Sequence, residues 1–229
     1  MKTKLPWFTL ACAAVAIALF QFPAAAGSLE FDRTAMAHGQ LWRGLTGHFV
    51  HFNASHLRWD LIGLLLLGAW AEQISPRAWM VACAGSTVAI SAAVWLFQPD
   101  LPTYRGLSGV ACVPFGLVII HLFRAAWEER DLITGAVAAL ASLGFLAKTL
   151  YESLSGQVIF ADAAGDFVAV PLAHLVGFLT GAAVACLIPF ARSPGRPGAG
   201  CNTPGRLHGT PPASRFRWPP ARESACPGP

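Results

Sequence analysis

Six apolar stretches, at residues 1–26, 48–71, 78–97, 106–123, 132–151 and 167–190, take up most of this 229-residue chain. About 20 apolar residues cross the hydrocarbon layer of a bilayer as a helix. Inside lipid every backbone polar group must find its partner within the protein, which leaves only helices and closed barrels. Runs of this length are far too long for barrel strands. The pattern therefore predicts an all-α membrane protein, a bundle of six transmembrane helices. Composition agrees, since only 12% of residues are charged against roughly 25% in a soluble domain.

An even number of spans puts both termini on one side. The first run begins with Lys2 and Lys4, and residues 192–229 carry six Arg against the single acid Glu223. Both ends therefore call for the cytoplasm under the positive-inside rule. That tail accounts for +5 of charge, leaving −1 for residues 1–191 of the +4 total. The basic balance belongs to an anchor facing anionic lipid and gives no argument for a nucleic-acid partner. The tail also holds nine of the 17 prolines, too little apolar surface to fold, and is expected to be disordered. Two domains follow: a membrane unit over 1–191 and a tail over 192–229.

The first run ends in small residues, Ala24-Ala25-Ala26-Gly27, as a cleavable signal peptide does. The further spans behind it favour an uncleaved first helix. Residues 27–47, 98–105 and 152–166 are then expected to face outward, and 72–77 and 124–131 the cytoplasm, the last a charged interfacial loop. The six cysteines form no C-x-x-C pair. Four lie in apolar runs, where Cys behaves as a small hydrophobe, so no metal or cofactor is expected.

Polar residues within spans are costly and tend to carry function. Here they gather in three patches. The first, Gly47 to Asp60, holds His48, His51, His56, Arg58 and Asp60. His56 and Asp60 are about 40° apart on a helix and share a face, whereas His51 lies about 140° from His56. His51 is expected in the entry loop, holding backbone. The second patch is Tyr104-Arg105-Gly106-Leu107-Ser108-Gly109. Its glycines permit a tight turn and put Ser108 near the first turn of a helix, where open N–H groups and the positive dipole end can hold a developing oxyanion. Gly109, Cys112 and Gly116 then make one helix face narrow. The third patch is Ala173-His174-Leu175-Val176-Gly177, with Gly181. Ala173, Gly177 and Gly181 at spacings of four permit close helix approach. If the two narrow faces meet, Ser108 and His174 come within reach, the arrangement of a nucleophile and its base. The spacing offers no carboxylate to orient the imidazole, so the expectation is a Ser–His dyad.

Over about residues 42–190 the chain resembles the rhomboid intramembrane serine proteases. Trp42-Arg43, the His51 and His56 pair, Gly106-Leu107-Ser108-Gly109, and Ala173-His174 with Gly177 and Gly181 look like that family's W-R, H-x-x-x-x-H, G-x-S-G and A-H-x-x-G-x-x-x-G patterns. The resemblance implies that Ser108 is the nucleophile, His174 the base, and His56 an oxyanion donor beside backbone N–H groups, with transmembrane proteins as substrates. The chain departs from the family at Asp60, where Asn is usual. An ionised Asp cannot donate to an oxyanion, so Asp60 is either protonated, or orients His56, or stands outside the hole. The Trp59-Asp60 pair and the wording of residues 104–109 look most like the rhombosortase branch. That resemblance implies substrates with a C-terminal Gly-Gly sorting signal, cut on the outer side of a bacterial inner membrane. Two rivals stand beside this reading: a rhomboid-like pseudoprotease that binds membrane clients, and a small transporter relaying protons through His56, Asp60 and His174.

Overall fold

The computed structural model describes residues 4–159 and 170–188. The expected tail, and parts of the last outward loop and of both ends of the sixth run, lie outside the described residues. Ten helices, α1 to α10, and one short two-stranded sheet make up the ordered elements among those described. The helix α1 (Trp7–Gln21) meets α2 (Pro23–Leu29) at a bend of 112°. Pro23 at the first helical position favours a new helix start there. The strand β1 (Phe31–Asp32) leads into α3 (Arg33–Ala37) and α4 (Arg43–Thr46), followed by a 3-10 turn at Gly47–Phe49.

The second apolar run does not begin as a helix at 48. Its helix α5 (Ala54–Gly63) starts after Asn53, whose side chain accepts from the His56 N–H as N-cap. It continues through a π-helical turn at Leu64–Gly68 into α6 (Ala69–Ile74). Next come α7 (Pro76–Phe97), the strand β2 (Thr103–Tyr104), α8 (Ser108–Glu129), α9 (Leu132–Ser155) and α10 (Pro171–Leu187). By length and apolarity three of these, α7, α8 and α9, are able to cross a bilayer, or four spans if α1 and α2 count as one bent span. α10 is apolar but only 17 residues long.

The charged segment 124–131, expected as a loop, is helical as far as Glu129. Only Arg130 turns left-handed (φ 53°), and Asp131 then caps α9 by accepting from the N–H groups of Ile133 and Thr134. Charge ended the hydrophobic run there without ending the helix, because a helix leaving the bilayer keeps its internal hydrogen bonds in water.

The first helix is fastened to the second run by a buried carboxylate. Glu72 accepts from the Phe8 N–H (3.0 Å), the Thr9 N–H (2.9 Å) and the Thr9 hydroxyl (2.7 Å), and Thr9 Oγ1 in turn accepts from Trp79 Nε1 (3.1 Å). A carboxylate here satisfies open N–H groups and complements the helix dipole. Glu72→Ala is expected to destabilise the protein by about 2–4 kcal/mol, since three donors lose their acceptor. Thermal unfolding of the detergent-purified protein reads this as a lowered Tm.

On the other side of the molecule, loops distant in sequence are tied together. The two strands pair antiparallel, Phe31 with Tyr104 and Asp32 with Thr103. Arg33 binds the Val94, Trp95, Gln98 and Leu101 carbonyls at the C-terminal end of α7, a cation where the dipole is negative. Arg43 binds the Gly27 and Glu30 carbonyls, and Glu30 pairs with Arg105. The segment that delivers Ser108 is thereby held by residues some 75 positions earlier.

At the centre, α8 and α10 touch backbone to backbone. A Cβ on Gly177 would collide with the Gly109 carbonyl oxygen, one on Gly181 with that of Val113, and one on Gly116 with that of Phe178. The small faces expected on the fourth and sixth runs do meet. Phe115, Phe145 and Phe178 form a ring cluster, with centroids 4.8–5.7 Å apart, that joins α9 to both.

Candidate active site

Ser108 is the first residue of α8, and no side chain caps that N-terminus. The open N–H groups of the first turn and the positive dipole end are therefore beside its hydroxyl. His174 lies in the first turn of α10, next to Ala173, which is packed on Gly109. Both side chains line one cavity of about 590 Å³, together with residues of α5 and α9. Most of its wall is apolar, among it Trp59, Ile62, Phe115 and Phe145. The polar groups on its wall include His56, Asp60, Arg105, Ser108, Lys148, Glu152 and His174.

Gly106 backs the His56 part of that wall. Its φ is +127°, a conformation open to glycine at no steric cost, and its N–H donates to the Gly47 carbonyl oxygen (3.3 Å). The His56 ring lies directly on it: a Cβ there would stand 2.5 Å from Cε1 and 2.7 Å from Nε2. The Tyr104 hydroxyl donates to the Gly106 carbonyl oxygen (3.3 Å). Tyr104 is wholly enclosed, and burial pushes its phenol above the usual range, so it stays a neutral donor.

Asp60 faces two histidines. His51 Nε2 is 3.2 Å and His56 Nε2 3.3 Å from the same oxygen, Asp60 Oδ2. All three are buried. The sequence reading put His51 in the entry loop, which is where it stands, but assigned it to backbone and away from His56. Instead it holds Asp60, and its ring meets that of His56 edge-on at 5.2 Å. The 140° separation applies only to a regular helix, and the helix starts at Ala54. At 3.3 Å from Nε2 the Asp60 carboxyl is placed to orient the His56 ring. His48, in the same patch, serves elsewhere, with Nε2 3.0 Å from the Thr87 carbonyl oxygen and 3.1 Å from Ser91 Oγ.

The sequence reading found no carboxylate placed to orient the His174 imidazole; in the structure Glu152 Oε2 lies 3.5 Å from His174 Nδ1, an ion-pair rather than a hydrogen-bond distance, and 2.7 Å from Lys148 Nζ. The sequence held a signal for this: Lys148 and Glu152 are charges four apart, so they share a face of an otherwise apolar span. The sequence reading drew nothing from that face, ending the fifth span at 151, because only packing brings α9 against α10.

A rhomboid domain model matches residues 38–189, about two thirds of the chain. The chain belongs to the rhomboid family. It is thus an integral membrane protein of a family whose members are generally intramembrane serine proteases acting on transmembrane substrates within the bilayer. Among curated proteins none matches the chain. The matched region of this rhomboid runs from just before Trp42 to the end of α10 and contains every polar residue of the cavity.

Proposed function

We propose that this rhomboid is an active serine endopeptidase that cuts membrane-anchored substrates near the outer face of a bacterial inner membrane. It would cross that membrane six times, with both termini in the cytoplasm and 192–229 as a separate tail. The observation that carries the reading is the shared cavity: Ser108 on an uncapped helix N-terminus and His174 on the helix packed against it. In this mechanism the substrate enters laterally and unwinds, since a helical peptide bond is shielded. His174 takes the Ser108 proton as Oγ attacks the carbonyl. The oxyanion is held by first-turn N–H groups and His56, with Gly106 and Gly109 giving the close approach. His174 then protonates the leaving amine, and water or another amine resolves the acyl-enzyme.

For substrates we infer the rhombosortase class, proteins ending in a Gly-Gly signal, a hydrophobic span and a basic tail. Residues 104–109 and the Trp59-Asp60 pair support it. The test is co-expression with such a membrane-anchored secreted protein, mapping of its new C-terminus by mass spectrometry, and fluorophosphonate labelling of the chain. A new C-terminus at the sorting signal together with labelled Ser108 is the expected result. An uncut client retained in complex with an unlabelled chain means a pseudoprotease. A second reading, proton-coupled transport, draws on the run of titratable groups His56, Asp60, His174 and Glu152 along one cavity. It predicts pH-driven flux in liposomes that is indifferent to loss of Ser108.

A further inference from the structure

α9 is the most lipid-exposed of the long helices, with only Ala138, Thr149 and Glu152 buried along it. Glu152 is 1% exposed, so a carboxylate has been buried on the inner wall of a peripheral membrane helix. Such a group is stable only when its oxygens are matched. Here Oε1 accepts from the Ile159 N–H (3.0 Å), and Oε2 receives Lys148 Nζ (2.7 Å) and faces His174 Nδ1 (3.5 Å). The Ile159 and Lys148 contacts would serve a structural role as well, but the pair also lines the cavity shared by Ser108 and His174, with Glu152 Oε2 within 3.5 Å of the imidazole proposed as the base.

We infer that Glu152 is a positioning residue for His174, making a Ser108–His174–Glu152 relay where the sequence suggested a dyad. The inference rests on the protease reading above. With Nδ1 turned to Glu152, the ring proton resides on Nδ1, and Nε2, on the opposite side of the ring, keeps the lone pair that accepts the Ser108 proton. When Oγ attacks, that proton moves to Nε2, and the imidazolium so formed lies against a carboxylate already ionised by Lys148. Glu152 neither gains nor loses a proton in the step. Lys148 plays no part in it beyond keeping the carboxylate charged and aimed.

The experiment is Glu152→Gln in the full-length chain, in detergent or liposomes, read against Ser108→Ala. Glutamine keeps the volume and the Ile159 contact, but its NH₂ can face Nδ1 and select the wrong tautomer. Where a triad carboxylate is replaced by its amide kcat falls about 10⁴-fold. With the longer contact here, kcat is expected to fall about 10- to 1,000-fold, with KM within about threefold and the fluorophosphonate labelling rate falling in parallel. A merely structural loss would lower the active fraction without changing the labelling rate of what remains. A second measurement reads the wild-type site directly: ¹⁵N-histidine NMR of the wild-type chain, with His174 assigned by difference from His174→Gln. It is expected to show the Nδ1–H tautomer. Wild-type kcat in Glu152→Gln, or His174 protonated on Nε2 in the wild type, overturns the inference while leaving the protease reading intact. Cleavage surviving in Ser108→Ala overturns the protease reading itself, whatever Glu152 does.

Discussion

Ser108→Ala is expected to lower cleavage of a membrane-anchored substrate by about four to six orders of magnitude, and His174→Ala by a similar factor. Removing either member of a nucleophile–base unit costs about as much as removing the whole unit, because each is useless without the other. What survives is the background from the uncapped first turn of α8, which still offers N–H groups to the carbonyl oxygen. The double variant should therefore be no worse than either single one. That non-additivity distinguishes a coupled pair from two residues lining the same cavity for separate reasons. The measurement is initial rate against enzyme concentration in proteoliposomes, with Tm of each variant recorded alongside. Ser108 is only half-buried at a helix start, so its replacement by Ala should leave Tm within a degree or two. Substantial cleavage by Ser108→Ala, or additive losses in the double variant, contradicts the proposal.

Gly177→Leu should abolish activity by a different route. A Cβ added at Gly177 would run into the Gly109 carbonyl oxygen, and one at Gly181 into that of Val113. A backbone oxygen within a helix cannot swing aside as a side chain can, so the added atoms must push α8 and α10 apart. Overpacking costs about 1–3 kcal/mol where side chains can adjust and more where they cannot, which sets about 3 kcal/mol as the lower expectation here. Separating the helices also separates Ser108 from His174, since Ser108 adjoins Gly109 and His174 lies three residues, less than one turn, before Gly177. Activity and Tm should therefore fall together. Gly27→Ala serves as the comparison: nothing lies within 4 Å of an added Cβ there, and both readouts should stay at wild-type values. A Gly177→Leu protein with wild-type Tm and rate would mean that the tight contact is not what holds the site.

Much of this was legible in the chain. The apolar runs mark α1, α5–α6, α7, α8, α9 and α10 because lipid admits few alternatives to a helix. Ser108 was readable at a helix start from the glycines on either side of it, and the meeting of α8 with α10 from small residues at helical spacing on both, three and four apart on α8 and four apart on α10. Helix ends were less legible. α8 runs to Glu129 through residues that read as a loop, since charge reports where lipid stops and a helix needs no lipid.

The side-chain partners across helices were the least legible. His51 met Asp60 because the chain turns at Val50–Asn53, and Glu152 met His174 because α9 is drawn in by the Phe115, Phe145 and Phe178 rings. The linear pattern by itself determined the class of environment, the number of apolar runs and the residues able to do chemistry, since each follows from local composition and spacing. Tertiary structure alone decided which imidazole each carboxylate faces, because hydrogen-bond reach is a matter of ångströms, set by how whole helices pack and turn.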